Sequence, residues 1–229
     1  MKIALIGYGK MGKLIDQLAT QQGHEVIVKY QKSTPLSSML SQADIVIDFS
    51  QADGQLDRLK CVLDYQKPII IGTTGWDDSL SEAKKLVDKS QGSCLFSPNF
   101  SIGVFLFQKI VQEAASLIHS FHHYDVSGVE FHHRQKIDSP SGTAKALAQT
   151  VMNAMPRTKS LAFESVRCGF IPGKHSLIFD SQVDTITLTH EARSREGFAQ
   201  GALVAAEWLL DKKGFFDMDD FIQTMSKSL

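Results

Sequence analysis

Only three cysteines occur in the chain, Cys61, Cys94 and Cys168, far apart and odd in number. That spacing builds neither a disulfide framework nor a Cys-x-x-Cys metal site, and it fits a reducing compartment with each thiol acting as a small buried hydrophobe. An excess of one charge is also missing. Lys and Arg total 24 against 25 Asp and Glu, the net charge is −1, and no block of like charge stands out. This excludes a surface built to grip nucleic acid by its phosphates. No apolar run approaches the about 18 to 20 residues of a membrane span. The first residues, MKIALIG, run straight into a glycine-rich loop and do not read as a signal peptide. A soluble, cytoplasmic protein is expected. With 229 residues, 43% of them hydrophobic and 21% charged, it has room for one large domain or two modest ones.

What is present begins with a nucleotide-binding pattern. Lys2 to Ile6 reads as a buried parallel strand, and GYGKMG follows with Gly7, Gly9 and Gly12 in the spacing G-x-G-x-x-G. A helical pattern from Lys10 to about Gln22 carries Met11, Ile15 and Leu18 on one side, Gly23 ends it, and Val26 to Tyr30 supplies a second strand. In that context Gly7 permits the sharp turn, Gly9 lets a pyrophosphate approach the backbone, and Gly12 lets helix and strand pack closely. The helix start, with Tyr8, Lys10 and Met11 around it, turns free N–H groups toward the phosphates. The acid that usually holds the ribose hydroxyls of NAD is missing after the second strand, where Lys29, Gln31 and Lys32 stand instead. Cations there suit a 2′-phosphate, so NADPH is as well accommodated as NADH. The same lysines also read as solvated surface residues.

The alternation continues with strands at Ala43–Phe49, Pro68–Gly72 and Ser93–Ser97 and helices at Gln55–Tyr65 and about Ser79–Ser90. Ligands of open parallel sheets lie beyond the carboxyl ends of the strands. Gly72-Thr73-Thr74 and Ser97-Pro98-Asn99-Phe100 occupy two such ends and are candidate cofactor contacts. From Ser101 the pattern changes: a helix at about Val104–Ser120, a strand at Tyr124–Phe131, a helix at about Thr143–Met155, then strands at Ser160–Cys168, His175–Asp180 and Thr185–Glu191. Strands crowded around a long helix predict an α+β domain with a mixed sheet. A final helix at about Phe198–Lys212 returns toward the first domain. The domains are therefore expected at 1–103 with 198–229, a Rossmann-type dinucleotide-binding unit, and at 104–197, a substrate-binding and oligomerisation unit.

Residues 128–147, GVEFHHRQKIDSPSGTAKAL, gather proton carriers just ahead of a helix start. Pro140 suits a first helical turn with Ser139 or Ser141 as cap, so the N–H groups of Gly142 and Thr143 and the hydroxyls of Ser141 and Thr143 form a carboxylate site. Lys136 offers charge or a proton, and His132 carries a proton near neutral pH. Read alone, Ser139-Pro140-Ser141-Gly142 is also an ordinary cap, and His132-His133 also a packed or surface pair. Adjacent strand residues face opposite sides and no Asp or Cys lies at ligand spacing, so no metal is expected. His122 and His123 read as exposed loop residues.

The fifteen residues Glu130 to Ala144 resemble the signature E-x-H-H-x-x-K-x-D-x-P-S-G-T-A of the 4-hydroxy-tetrahydrodipicolinate reductase family, long called dihydrodipicolinate reductase. The likeness extends in order to Gly7–Gly12, Ile47-Asp48-Phe49-Ser50, Gly72–Gly75, Ser97–Val104, His190–Arg195 and Phe198–Ala202. The resemblance implies reduction of a cyclic dicarboxylate by NADPH or NADH, with loss of water, on the diaminopimelate route to lysine. It implies that His132 is a proton donor or acceptor, that Lys136 is a proton donor, and that His133, Gly142 and Thr143 bind substrate carboxylates. It implies that Gly7 to Gly12, Gly72 to Thr74 and Ser97 to Phe100 line the cofactor, and that the chain forms a homotetramer through its second domain. Two features depart from the family pattern: the missing acid after the second strand, and a short connection between the second and third strands. Other nicotinamide dehydrogenases of two domains share the first half but not the His132–Ala144 arrangement, and a nucleotide sensor would have no need of His132 and Lys136.

Overall fold

The computed structural model describes residues 1–30 and 40–227, with side chains to residue 225. In chain order the first elements are β1 (Lys2–Ile6), α1 (Lys10–Gln21), β2 (Glu25–Tyr30), β3 (Ile45–Asp48), α2 (Gln55–Asp64), β4 (Ile69–Ile71), α3 (Leu80–Ser90) and β5 (Ser93–Phe96). Then come α4 (Ile102–His119), β6 (Asp125–His132), α5 (Gly142–Ala154), β7 (Phe163–Arg167), β8 (Lys174–Asp180) and β9 (Thr185–Glu191). The chain closes with α6 (Glu196–Leu209), β10 (Gly214–Phe216) and α7 (Met218–Lys227). It divides into two compact units, residues 1–102 with 196–229 and residues 103–195.

The first unit is a six-stranded parallel sheet ordered β10-β5-β4-β3-β1-β2. Ile3 to Ile6, Ile45 to Ile47 and Ile69 to Ile71 are all buried, as strands covered by helices on both faces must be. Each Ile, Leu or Val among them contributes on the order of 1.5–3 kcal/mol by leaving water. The chain steps from β1 out to β2, then crosses back to β3 on the other side of β1. That reversal opens a crevice beyond the carboxyl ends of β1 and β3, where the glycine loop lies.

The second unit is a four-stranded mixed sheet ordered β7-β6-β8-β9, with β6 and β7 parallel and the other pairs antiparallel. Phe107, Val111 and Ala115 of α4 and Leu147, Val151 and Met155 around α5 form its core with Leu177 and Phe179 of β8. The side chains of Val166 and Ile186 are exposed. This is the fold class expected from the sequence, a Rossmann-type parallel sheet joined to an α+β unit with a mixed sheet. Among the described residues no helix is long and apolar enough to cross a membrane.

Four details differ from the sequence reading. The helix expected to be last ends at Leu209, and β10 and α7 follow it. β10 has only three residues, too few for a periodicity. The start of α7 is a reciprocal box in which Asp220 N–H donates to Asp217 (2.9 Å) and Asp217 N–H to Asp220 (3.1 Å). Pro140 lies ahead of α5, which opens at Gly142 with Ser141 as its cap; the Ser141 hydroxyl reaches the Ala144 N–H, and that reach fixes the boundary. Finally, Cys94 is buried and Cys61 half-buried, but Cys168 is exposed, because it follows the last residue of the edge strand β7.

Candidate active site

In the first unit the glycine loop is shaped by contacts that explain two of its three glycines. Gly7 has φ +87°, and a Cβ there would stand 2.5 Å from the Phe49 carbonyl oxygen. A Cβ at Gly12 would stand 2.2 Å from the Gly7 carbonyl oxygen, so α1 packs this close to the loop only with glycine. Gly9, the N-cap of α1, has nothing within 4 Å of its missing Cβ. Space there is not demanded by the protein itself, and it suits a ligand resting on the backbone at the helix start. The half-buried Tyr8 and Met11 flank the exposed Gly9 and Lys10.

Beside this loop, the buried Asp48 at the end of β3 acts as a polar hub. It accepts from the Ser50 N–H (2.9 Å), the Gln55 amide (3.1 Å), the Thr73 hydroxyl (3.2 Å) and Arg58 Nε (3.1 Å). One carboxylate thus ties the loops after β3 and β4 together and holds Thr73 inward, leaving Thr74 exposed. Gly72 admits the Phe49 ring, which a Cβ would meet at 2.2 Å. After β5, the Ser97 hydroxyl donates to the Asn99 carbonyl (2.5 Å) and Ser101 N–H donates to the Asn99 side chain (2.8 Å), while Pro98 is exposed and Phe100 buried against Phe49 at 5.6 Å. The candidate contacts Gly7–Gly12, Gly72–Thr74 and Ser97–Phe100 therefore share one end of one sheet.

Of the residues that follow β2 in the cofactor-preference reading, only Lys29 is described; Gln31 and Lys32 lie outside the described residues. Lys29 pairs with Asp16 of α1 at 2.7 Å and sits 5.2 Å over the Tyr8 ring, and the Tyr8 hydroxyl donates to the same Asp16. Burial works to raise the Asp16 pKa, but bonds from Lys29 and Tyr8 outweigh it and hold the carboxylate below its ordinary range.

The second unit gathers the proton carriers around one carboxylate. Glu130 and His132 are two apart on β6, so they share a face. The Glu130 side chain is fully buried. Its Oε1 accepts from the Ser141 N–H (3.0 Å), the Ser165 hydroxyl (2.7 Å) and Arg167 (2.9 Å). Its Oε2 faces His132 Nδ1 at 3.5 Å and His175 Nε2 at 3.4 Å, and neither Oε2 nor His132 Nδ1 has a hydrogen-bond partner. The two imidazoles meet edge to face at 5.1 Å. The Ser141 hydroxyl accepts from Ala144 N–H and touches His175 Nε2 at 3.1 Å, two contacts made inside the protein. Lys136 is half-buried and bound to Asp138 at 2.9 Å. His133 is half-buried, Thr143 half-buried and Gly142 exposed. Helix geometry leaves the N–H groups of Gly142 and Thr143 without intrahelical partners.

The charge state follows from these contacts. Burial alone would raise the Glu130 pKa, but the bonds from Ser141, Ser165 and Arg167 hold it down at about 2. Burial pushes His132 below the ordinary histidine range; Glu130 opposes this, while Lys136 and Arg167 reinforce it. Burial, helped by His132, pushes His175 down to about 4. At neutral pH the cluster is an anion with two neutral imidazoles, and the cationic partners are Arg167 and Lys136.

These shifts carry a sign for stability. His175 has a folded pKa of about 4 against an ordinary 6.5, so the unfolded chain takes its proton first and stability is lost as pH falls from 6.5 through 4. Glu130, depressed from 4.5 to about 2, adds a further loss between those values. The midpoint of thermal unfolding of the protein, followed by circular dichroism, should fall steadily below pH 6.5; an unchanged midpoint from pH 7 to pH 4 would contradict the assignment.

Sequence reasoning found Glu130 only as part of a signature, and it missed Ser165, Arg167 and His175. These come from β7 and β8, and the register Glu130↔Ser165, His132↔Arg167 and Glu130↔His175 brings them in. Glu130, His132 and His175 place three atoms of metal-ligand type within 4.8 Å of one another, a grouping that spacing within one strand does not reveal. The Glu130 charge is already met by Arg167. His122 and His123 are exposed, as expected.

Comparison with known proteins gives a consistent set of matches. Residues 1–100 match the family described as dihydrodipicolinate reductase, N-terminus, and residues 103–222 the one described as dihydrodipicolinate reductase, C-terminus. The chain is 34% identical over 239 residues to the 4-hydroxy-tetrahydrodipicolinate reductase of Christiangramia forsetii, with both chains wholly covered. It is 32% identical over 262 residues to the enzyme of that name from Archaeoglobus fulgidus, covering 97% of this chain and all of the other. Its fold is similar to that of dipicolinate-bound dihydrodipicolinate reductase from Paenisporosarcina sp. TG-14, with a TM-score of 0.79, 24% identity, and 95% and 97% of the two chains covered.

Proposed function

We propose a function from one premise: the chain belongs to the dihydrodipicolinate reductase family. It is an oxidoreductase that reduces 4-hydroxy-tetrahydrodipicolinate to tetrahydrodipicolinate, with a reduced nicotinamide dinucleotide as donor and release of water, in the diaminopimelate route to lysine. The balance is substrate plus reduced cofactor plus one proton giving product, oxidised cofactor and water. The observation that carries the reading at the level of the site is the buried contact between Glu130 and the Ser141 N–H, which sets the start of α5 beside His132.

The roles divide between the two units. Residues 1–102 with 196–229 hold the dinucleotide, through Gly7–Gly12, Gly72–Thr74 and Ser97–Phe100. The open space at Gly9 and the free helix start suit a pyrophosphate. The bound cofactor supplies the hydride. Residues 103–195 hold the substrate. The N–H groups of Gly142 and Thr143, the Thr143 hydroxyl and His133 receive carboxylate oxygens, with charge-assisted bonds stronger than neutral ones. Lys136 leaves Asp138 and donates the proton that accompanies reduction. His132, neutral at working pH, accepts or returns a proton. A cation beside the ring also favours the electron density that arrives with hydride.

Among Lys29 to Lys32 no acid stands to repel a 2′-phosphate, so NADPH is used as readily as NADH. The protein is cytoplasmic and assembles as a homotetramer through its second unit, a reading supported by the exposed Val166 and Ile186. The test is consumption of reduced cofactor by purified protein, with substrate generated in place from pyruvate and aspartate semialdehyde by its synthase. Turnover that requires both proteins, with NADPH at least matching NADH, supports the reading. Cofactor binding without turnover would overturn the substrate assignment.

A further inference from the structure

We infer that Glu130 is the positioning residue of this site: through Oε2 it fixes His132 as the tautomer with the proton on Nδ1, and through Oε1 it fixes the start of α5. The inference deepens the reductase reading and rests on it for the identity of the reaction, though not for the tautomer.

The hydrogen-bond partners of one carboxylate carry the inference. Three donors, the Ser141 N–H, the Ser165 hydroxyl and Arg167, converge on Oε1 at 2.7 to 3.0 Å. Oε2 receives none, and the nearest polar atoms are His132 Nδ1 and His175 Nε2 at 3.5 and 3.4 Å. His132 Nδ1 is itself buried without a partner. With the proton on Nε2, the Nδ1 lone pair would face the lone pairs of Oε2, leaving buried Nδ1 unsatisfied and Oε2 with only the 3.4 Å contact to His175 Nε2. With the proton on Nδ1, each satisfies the other once the contact shortens by a few tenths of an ångström. Catalytic hydrogen bonds are often this long before substrate arrives. Nε2 is then left as the free basic nitrogen. The neighbour on that side is Gly173, whose missing Cβ would stand 3.1 Å from Nε2. A glycine there keeps the nitrogen approachable.

The same carboxylate joins the proton carrier to the carboxylate cradle. Its Oε1 takes the Ser141 N–H, the group just before Gly142 and Thr143, so the ring of His132 and the free N–H groups of α5 are registered on one side chain. Arg167, which also donates to the Asp138 carbonyl at 2.7 Å, extends the register toward the residue that holds Lys136.

Glu130→Gln tests this sharply because the three donors dictate which way the amide turns. They require an oxygen at the Oε1 position, so the amide nitrogen must occupy the Oε2 position and present N–H to His132 Nδ1. The tautomer is forced to invert and the basic Nε2 is lost, as happens in a serine-protease triad whose Asp is replaced by Asn. Long-range proton–nitrogen NMR of protein labelled with 15N-histidine, without substrate, should show His132 protonated on Nδ1 in the wild type and on Nε2 in the variant. The kcat of the variant should fall by about a hundredfold or more while KM for the cofactor is unchanged. The acid limb of its pH profile should move down, since an anion facing His132 has been removed; the other charged groups facing that ring, Lys136, Arg167 and Asp138, and the neighbouring His175 remain. A merely structural role for Glu130 would lower stability without inverting the tautomer. A wild-type ring protonated on Nε2, or a Nδ1 that carries no proton because a metal ion occupies it, overturns the inference even if the Gln variant fails to fold. Absence of reductase turnover with the predicted tautomer in place would sink the reaction and leave the positioning intact.

Discussion

Replacing Lys136 by alanine should lower turnover by about two to four orders of magnitude, the range expected when a positioned proton donor is removed. The affinity for reduced cofactor should stay within about twofold. The reasons are local. Lys136 lies in the connection between β6 and α5, half-buried, and its ammonium is held by the exposed Asp138 at 2.9 Å. That contact bridges a turn and buries little, so the fold loses little with it, since exposed ion pairs contribute on the order of 0–1 kcal/mol. Lys136→Arg keeps the charge but raises the proton affinity, and it should recover little turnover if proton donation is the role. Steady-state rates and a fluorescence titration of cofactor separate the two effects. Near-normal turnover in Lys136→Ala would remove the residue from the chemistry.

The second large effect is expected at the glycine loop, where two glycines should fail differently. Gly9→Ala adds a methyl group into open space, on an extended backbone with a negative φ of −86°. Stability should be unchanged, while dinucleotide affinity falls about tenfold or more because the methyl occupies the approach to the α1 N-terminus. Gly12→Ala instead sets a carbon 2.2 Å from the Gly7 carbonyl oxygen, a backbone atom that cannot swing aside. Overpacking of this kind costs on the order of 1–3 kcal/mol. Thermal unfolding should then shift together with the loss of binding. Equal stability loss in both variants would show that Gly9 serves the fold and not the ligand.

How much of this is legible in the sequence follows from where each partner sits along the chain. The glycine loop can be read because strand, turn and helix are contiguous, and the local order alone dictates the turn. The start of α5 can be read for the same reason, since a serine followed by Gly142 and Thr143 advertises a cap. Pro140 misplaces its boundary, because a proline before a cap and a proline in a first turn look alike without the Ser141–Ala144 bond. The Glu130 cluster is not legible. Ser165, Arg167 and His175 lie 35, 37 and 45 residues further along and enter through strand pairing, and local periodicity tells which face of a strand is buried but not which distant strand lies beside it. Asp48 shows the intermediate case: its place at a strand end is visible, but its grip on Gln55, Arg58 and Thr73 is not. The exposure of Cys168 escapes the sequence because composition says nothing of sheet edges.

The central claim is hydride transfer from a nicotinamide to a cyclic dicarboxylate on this chain. It is tested most directly with reduced cofactor deuterated at its transferable position, under single-turnover conditions, with substrate formed in place and the product read by mass spectrometry. Hydride transfer predicts deuterium-labelled tetrahydrodipicolinate, formed in step with cofactor oxidation by the wild type and far more slowly by Lys136→Ala. Unlabelled product, or oxidised cofactor with no labelled dicarboxylate, would contradict it.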